Sequence, residues 1–262
     1  MSLFNRILSS IGIGSAKVDT VLQGNRFAPG ETIDAVVNIT GGKTEQDIGG
    51  LYFSLYCSYK ATVEVRDEEG ETGESEITKT LLLDKFKLSD PFVIGPKEEK
   101  DIPLSFTLPL HTPLTLGKTK VLMKTGLDIK KAIDSEDKDY VEVVPNALVG
   151  SLFDALQEMG FRLMTADCET ASSKTQPLIQ EFEFMPFSGP FRSKLDELEV
   201  ICFPKEDCVE VLMETDRKAR GFIGFIMEAL DRDETRVKFT FCSDDIPGLT
   251  DRLYEIIDKQ GG

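Results

Sequence analysis

The sequence predicts a mainly β protein made of two β-sandwich domains in tandem, with a few short helices. Apolar and polar residues alternate with a period of two in many short segments, which is typical of strands that bury one face. Pro29 and Gly30 form a turn signal between the first two such segments. The chain has 262 residues and 40% hydrophobic content, enough for two cores of roughly 100–150 residues each. We therefore predict domains at residues 1–145 and 146–262.

In the first half, residues 17–40 read as a strand, a turn and a second strand. The clearest alternation lies at residues 51–59, and Val63 and Val65 extend it. A charged stretch at residues 130–139 separates the last long strand from the segment that closes the first domain. The further apolar segments are at residues 77–83, 86–88, 92–94, 102–108, 121–129 and 141–145.

The second half begins with a predicted helix at residues 149–159, because its apolar residues follow the 3.6-residue period and Gly160 stands where a C-terminal cap belongs. Residues 222–230 fit either a helix or a strand. A final helix starts around Asp245, with Pro247 in its first turn. The strands predicted between the two helices, and just before the last one, are at residues 180–184, 198–202, 209–213 and 237–241.

The charge and cysteine content narrow the possible partners and compartment. The chain carries 46 acidic and 30 basic residues, a net charge of -16, so its field repels nucleic acid and anionic lipid. We expect no nucleic-acid partner. The five cysteines form no CxxC pair or regular framework, so we expect buried thiols in a reducing compartment. The N-terminal residues lack a secretory apolar core, and we therefore expect a cytoplasmic location.

Candidate catalytic residues are scarce. His111 is the one histidine, so a multi-histidine zinc site is impossible and a Ser-His-Asp system could use only this residue. We interpret His111 as an ordinary loop side chain. The sequence has no complete phosphate-binding or dinucleotide motif. We therefore expect no catalytic residue, no metal and no cofactor.

Strand carboxylates leave one enzymatic alternative open. These carboxylates alternate with apolar residues, as expected for the solvent-exposed face of a sheet. Two of them could still form an acid and base pair. The absence of tryptophan weakens the case for a sugar-binding cleft. A carboxylate-dependent hydrolase is therefore the second alternative to a binding function. The carboxylates concerned are Glu181, Glu183, Glu197, Glu199, Glu210 and Glu214.

A short amphipathic helix at residues 2–11 is the candidate partner or self-association surface. It could pack on its own domain, join a second subunit or lie on a membrane surface. A peripheral membrane adaptor is the first alternative function, although Arg6 and Lys17 alone offer little attraction to anionic lipid. The apolar residues of this helix are Leu3, Phe4, Ile7, Leu8 and Ile11.

An ordered set of short motifs resembles the sporulation-control protein M (SpoOM) family over nearly the whole chain. Each motif alone is weak, but the set in this order is specific. The motifs are SIGIGSAKVDT (residues 10–20), RFAPGE (26–31), LDI (127–129), VP (144–145), QEFEFMP (180–186), LDELEV (195–200), ETDRKARG (214–221) and DET (233–235).

The resemblance implies two arrestin-like β-sandwich domains in a cytoplasmic, non-enzymatic regulatory protein. The family has no established catalytic residues, so none is carried over. Strand edges and acidic loops offer surfaces for other proteins. We therefore expect a regulator or scaffold that acts through protein-protein contacts and is homo-oligomeric, with a dimer favoured.

Overall fold

The computed structural model describes residues 15–66, 72–130, 134–170, 178–216 and 236–260. Its first half is formed by strands, as the alternating sequence predicts. In chain order these are β1 (Lys17–Leu22), β2 (Arg26–Phe27), β3 (Thr32–Thr40), β4 (Gln46–Arg66), β5 (Thr72–Lys87), β6 (Phe92–Ile94), β7 (Glu99–Thr107), β8 (Lys120–Ile129) and β9 (Ser135–Val143).

Two sheets of the first half pack face to face as a β-sandwich. One has the strand order β1-β3-β7, and the other has the order β2-β9-β8-β4-β5, with β6 paired to β4. The inward side chains of both sheets share a buried cluster that includes Val37 of β3 and Leu127 of β8. Phe53 of β4 meets Phe106 of β7 with ring centroids 4.5 Å apart. Apolar side chains of the two sheets therefore pack against each other between the sheets.

Strand β4 is the centre of the larger sheet. It pairs with β5 on one side and with β8 on the other. Its alternate apolar residues are buried because the period of two directs them all to the same face. The clearest strand of the sequence is therefore confirmed, and it is longer than predicted. The inward residues are Leu51, Phe53, Leu55, Cys57 and Tyr59, each at most 1% exposed.

Two strands differ from the prediction. Strand β5 is continuous through the charged positions that separate its apolar segments, because β4 supplies a pairing partner along its length. Strand β9 occupies part of the charged stretch at 130–139. There Ser135 is buried and Asp137 accepts a hydrogen bond from the backbone N–H of Thr20 at 2.6 Å. Polar side chains in this strand thus pair with backbone groups of β1.

In the described part of the second half, one antiparallel sheet packs with helices against one of its faces. The sheet has the order β10-β11-β12-β13-β14. Sequence reasoning missed β10, whose pairing with β11 is interrupted by a bulge and whose burial does not alternate cleanly. The elements are α1 (Ala147–Glu158), β10 (Phe161–Thr170), β11 (Leu178–Pro186), β12 (Glu197–Pro204), β13 (Cys208–Asp216), β14 (Arg236–Cys242) and α2 (Leu249–Gln260).

Both described helices lie where the sequence places them. Helix α1 begins after Asn146, whose side chain accepts a hydrogen bond from the N–H of Val149 at 3.0 Å. Phe153 packs edge-on against two phenylalanines of β11. Pro247 lies in a 3-10 turn, Ser243–Gly248, that precedes α2, so the regular helix starts later than predicted. The predicted helix at 2–11 and the ambiguous segment 222–230 lie outside the described residues.

One large hydrophobic cluster runs through both halves of the chain. It contains residues of β4 and β8 together with residues of α1, β11 and β12. The predicted division at residues 145 and 146 falls between β9 and α1. The assignment of the two halves as separate domains stays a prediction.

Replacement of Gly160 by Ala is expected to destabilise the fold by about 2–4 kcal/mol. Gly160 has a φ of +93°, and an added Cβ would lie 2.3 Å from the carbonyl oxygen of Ser188. Gly248→Ala is the matched control, since nothing lies within 4 Å of its added Cβ. Urea denaturation of both variants measures the difference. Equal stabilities would contradict the role of Gly160.

Candidate functional site

The two halves of the chain are joined by paired polar groups as well as by the core. The side-chain amide of Gln180, in β11, binds the backbone of Leu114 in the loop between β7 and β8. The N–H of Leu114 donates to Oε1 of Gln180 at 2.7 Å, and Nε2 of Gln180 donates to the carbonyl oxygen of Leu114 at 2.9 Å. One side chain thus satisfies two backbone groups that would otherwise be buried without partners.

A small cavity lies beside this contact and includes His111 in its lining. Its volume is about 40 Å³, and it also touches Thr112, Asn146, Gln180 and Cys202. Such a volume accommodates water or a small polar group, whereas substrate pockets are typically several hundred Å³. Within the described residues, His111 Nε2 and Thr112 Oγ1 are buried and have no hydrogen-bond partner. His111, which the sequence places in a loop, therefore lies at the junction between the two halves of the chain.

The six candidate glutamates share one face of the second sheet, away from the large core. Glu183 lies opposite Glu199, and Glu199 lies opposite Glu214, in adjacent strands. A small apolar cluster that includes Ile201 occupies the same face. None of the six carboxylates lines the junction cavity. The structure therefore spreads them over a sheet face instead of placing an acid and base pair in that cavity.

The environments of these carboxylates differ. Glu210 forms ion pairs with Lys238 at 2.8 Å and with Lys205 at 3.4 Å, and these hydrogen bonds lower its pKa. Glu197, Glu199 and Glu214 also interact with other groups. Burial raises the pKa of Glu181 to about 7, and the neighbouring carboxylates add to this effect. Glu181 is thus a carboxyl group that titrates near neutrality within an acidic surface.

Two of the five cysteines are not free, which corrects the expectation of buried thiols for them. Cys208, the first residue of β13, and Cys242, the last residue of β14, form a disulfide between these neighbouring strands. The antiparallel register places them opposite each other, a relation that their separation of 34 residues does not reveal. Cys57, Cys168 and Cys202 are free.

Strand β5 is the long open edge of the first half. Backbone N–H groups of β1, at the edge of the smaller sheet, are bound by side chains of β9, since Val18 donates to Ser135 Oγ at 3.2 Å. Strand β7 carries Pro103, which cannot donate to a further strand. Among the described residues no strand pairs with the outer side of β5. The 16 residues of β5 could therefore accept another strand.

The predicted partner surface, formed by Leu3, Phe4, Ile7, Leu8 and Ile11, lies outside the described residues. Within the described ranges, no helix has the length and apolar character needed to cross a membrane. In that same part of the chain, no group of three or more His, Cys, Asp or Glu side chains is placed to hold a metal ion.

Comparison with known proteins defines the family. The family model described as SpoOM protein matches residues 4–219. The chain belongs to the SpoOM family. It is 39% identical over 264 residues to the sporulation-control protein Spo0M of Bacillus subtilis (strain 168), with 99% of each protein covered. The resemblance found in the sequence motifs is confirmed.

The SpoOM assignment also agrees with the three-dimensional structure. The crystal structure of Spo0M from Bacillus subtilis superposes with a TM-score of 0.80 at 35% identity, covering 95% of this chain and 100% of that chain. The mainly β, arrestin-like fold is therefore confirmed. Homology to a sporulation-control protein supports a regulatory role for the chain.

Sequence reasoning missed the junction amide and the open edge. Gln180 stands among Phe182 and Phe184 on the inward face of β11, so a polar residue on an apolar face was the available signal. The open edge of β5 had no comparable signal, because the sequence does not state which strands lie at the end of a sheet.

Glu181→Gln is expected to stabilise the protein at pH 8 and to have little effect near pH 4. The folded-state pKa is raised to about 7, so folding favours the protonated carboxyl and stability is lost as pH rises from about 4.5 through 7. We expect a gain of about 1–2 kcal/mol at pH 8, less than the full difference in pKa implies because the side chain keeps some contact with solvent. Urea denaturation at both pH values checks this.

The exposed Glu206→Gln is the matched control, and it should show no comparable change between the two pH values. A Glu181→Gln variant that is equally stable to the wild type at pH 8 would show that the environment of Glu181 does not raise its pKa.

Proposed function

We propose that the chain is a non-enzymatic cytoplasmic regulator that acts through protein-protein contacts, including contact with a second copy of itself. Family membership supports regulation. The small junction cavity and the distributed carboxylates support a binding protein more than an enzyme. The observation that carries the proposal is the open edge of β5.

The composition of β5 favours pairing with a second copy in the antiparallel direction. Its first part carries Glu76, and its last part carries Lys85 and Lys87. The register with β4 skips Leu83. A two-fold axis at Thr80 therefore places Glu76 opposite Lys85 of the second copy, with both side chains on the same face. Backbone hydrogen bonds would supply the affinity, and Glu76, which also forms ion pairs with Lys60 and Lys118 of its own chain, would face Lys85 of the second copy.

Thr80→Lys is expected to weaken the dimer at least about fivefold, because it places two lysines directly opposite each other at the axis. Thr80 is exposed in the single chain. Light scattering over a dilution series measures the association. Thr32→Lys, at an exposed threonine of the central strand β3, is the matched control and should leave the dimer intact.

A charge-complementation experiment tests whether the dimer forms through the edge strand β5. An equal mixture of Thr80→Lys and Thr80→Glu chains should associate, since lysine then faces glutamate across the axis. Thr80→Lys chains that associate as tightly as the wild type, or a wild-type chain that is monomeric at high concentration, would contradict pairing through β5.

We also propose that the N-terminal segment, residues 2–11, contacts other proteins. Its apolar residues are Leu3, Phe4, Ile7, Leu8 and Ile11. Removal of residues 1–12 should abolish co-purification of a defined protein from the native host, because the amphipathic face would be lost. Quantitative mass spectrometry of tagged full-length and truncated chains makes the comparison. Recovery of the same protein with both forms would place the contact elsewhere.

The membrane-adaptor alternative makes a different prediction for the same truncation. It requires that full-length protein sediment with anionic liposomes and that the truncated form stay in the supernatant. The net charge of -16 is unfavourable for such binding. Full-length protein that stays in the supernatant would remove this alternative.

The proposed cytoplasmic location rests on the resemblance to the SpoOM family. The disulfide between Cys208 and Cys242 is the observation that speaks against it, because disulfides are uncommon in reducing compartments. We retain the cytoplasm as the proposed location.

A further inference from the structure

Two free cysteines from opposite halves of the chain meet inside the core. Cys57 lies in β4 and Cys168 lies in β10, and these two strands pack against each other. Their side chains are 0% and 2% exposed and belong to the same hydrophobic cluster. The contact therefore connects the first sandwich to the second sheet.

The two thiols interact directly with each other, and their pKa values are shifted in opposite directions. The interaction raises the pKa of Cys57, whose ionisation burial further opposes. The same interaction lowers the pKa of Cys168; burial opposes this, and the hydroxyl of Thr119, 3.4 Å from the sulfur, also lowers the pKa. Cys168 is thus the thiol that ionises first, while Cys57 holds its proton.

We propose that Cys57 and Cys168 form an oxidisable dithiol, a modification site at which a small peroxide converts the pair into a disulfide that joins the two halves of the chain. This inference does not depend on the proposed function, since it rests on the packing of β4 against β10. It differs from the Cys208–Cys242 disulfide, which links neighbouring strands within one sheet.

The reaction balances in two steps. The Cys168 thiolate attacks one oxygen of hydrogen peroxide, the O–O bond breaks, and the departing hydroxide takes up a proton to leave as water, giving a sulfenic acid. The sulfur of Cys57 then attacks the sulfur of Cys168, the S–O bond breaks, and the hydroxide takes the Cys57 proton to leave as a second water. Two thiols and one peroxide thus give one disulfide and two waters.

Cys202 provides the contrast within the same chain. It is free, and burial raises the pKa of its thiol to about 12 with no assisting hydrogen bond as a cause. The cysteine that lies nearest to it in the chain, Cys208, is already bonded to Cys242. Oxidation of the folded chain should therefore consume two thiols and leave Cys202 reduced.

The test is peptide mapping of the unmodified chain after treatment with hydrogen peroxide. Trypsin places the three free cysteines in separate peptides, at residues 44–60, 163–174 and 195–205. The expected result is a disulfide-linked pair of the first two peptides, with the free thiols per chain falling from three to one. Remaining thiols are blocked by alkylation before digestion.

Exposed methionines report whether peroxide has acted. Met164 and Met185 are 48% and 38% exposed. If both are oxidised while all three thiols remain, the proposal is wrong. It is also overturned if the recovered disulfide joins two different chains, or if it contains Cys202 in place of Cys57.

Single substitutions assign the two roles. Cys57→Ser should leave Cys168 as a sulfenic acid that a dimedone probe traps, whereas Cys168→Ser should leave Cys57 reduced. Cys202→Ser is the matched control and should form the linked pair as the wild type does. If a serine variant fails to fold, mapping of the unmodified chain still decides the outcome.

Discussion

The burial of one face of β4 is the constraint on which the rest of the structure depends. This strand pairs on both sides, and its inward residues contribute to the core within the first sandwich and to the cluster shared with α1 and β11. Burying a side chain such as Phe53 contributes about 1.5–3 kcal/mol. The halves therefore share part of their folding free energy, and substitutions in β4 affect both.

Polar side chains determine contacts between elements that burial of the apolar core leaves undetermined. Hydrophobic burial is not directional, so it does not determine which loop meets which strand. Gln180 fixes that relation at the junction, because its amide matches the N–H and carbonyl of Leu114 as another strand would. Ser135 and Asp137 do the same for β1, where they bind backbone N–H groups at the sheet edge. These side chains select one arrangement among several that would bury similar apolar area.

The predictability of the molecule follows from the range of the interactions involved. Alternation within β4 and the helical period of α1 are local, and both elements were predicted from sequence. The first part of β9 was missed because its polar side chains bind backbone N–H groups of β1, which is distant in sequence. The Cys208–Cys242 disulfide and the Gln180 contact were missed for the same reason. Each depends on register or on packing between halves, which a single sequence does not display.

The difference between closed and open edges bears on how many chains an assembly can contain. The N–H groups of Val18 and Thr20 are already occupied by their own chain, and Pro103 interrupts the strand at the other side of that sheet. If β5 pairs with β5 of a second copy about a two-fold axis, the open edge of each molecule is covered by the other. Such an interface closes on itself, so growth ends at two chains and no fibre propagates through this sheet.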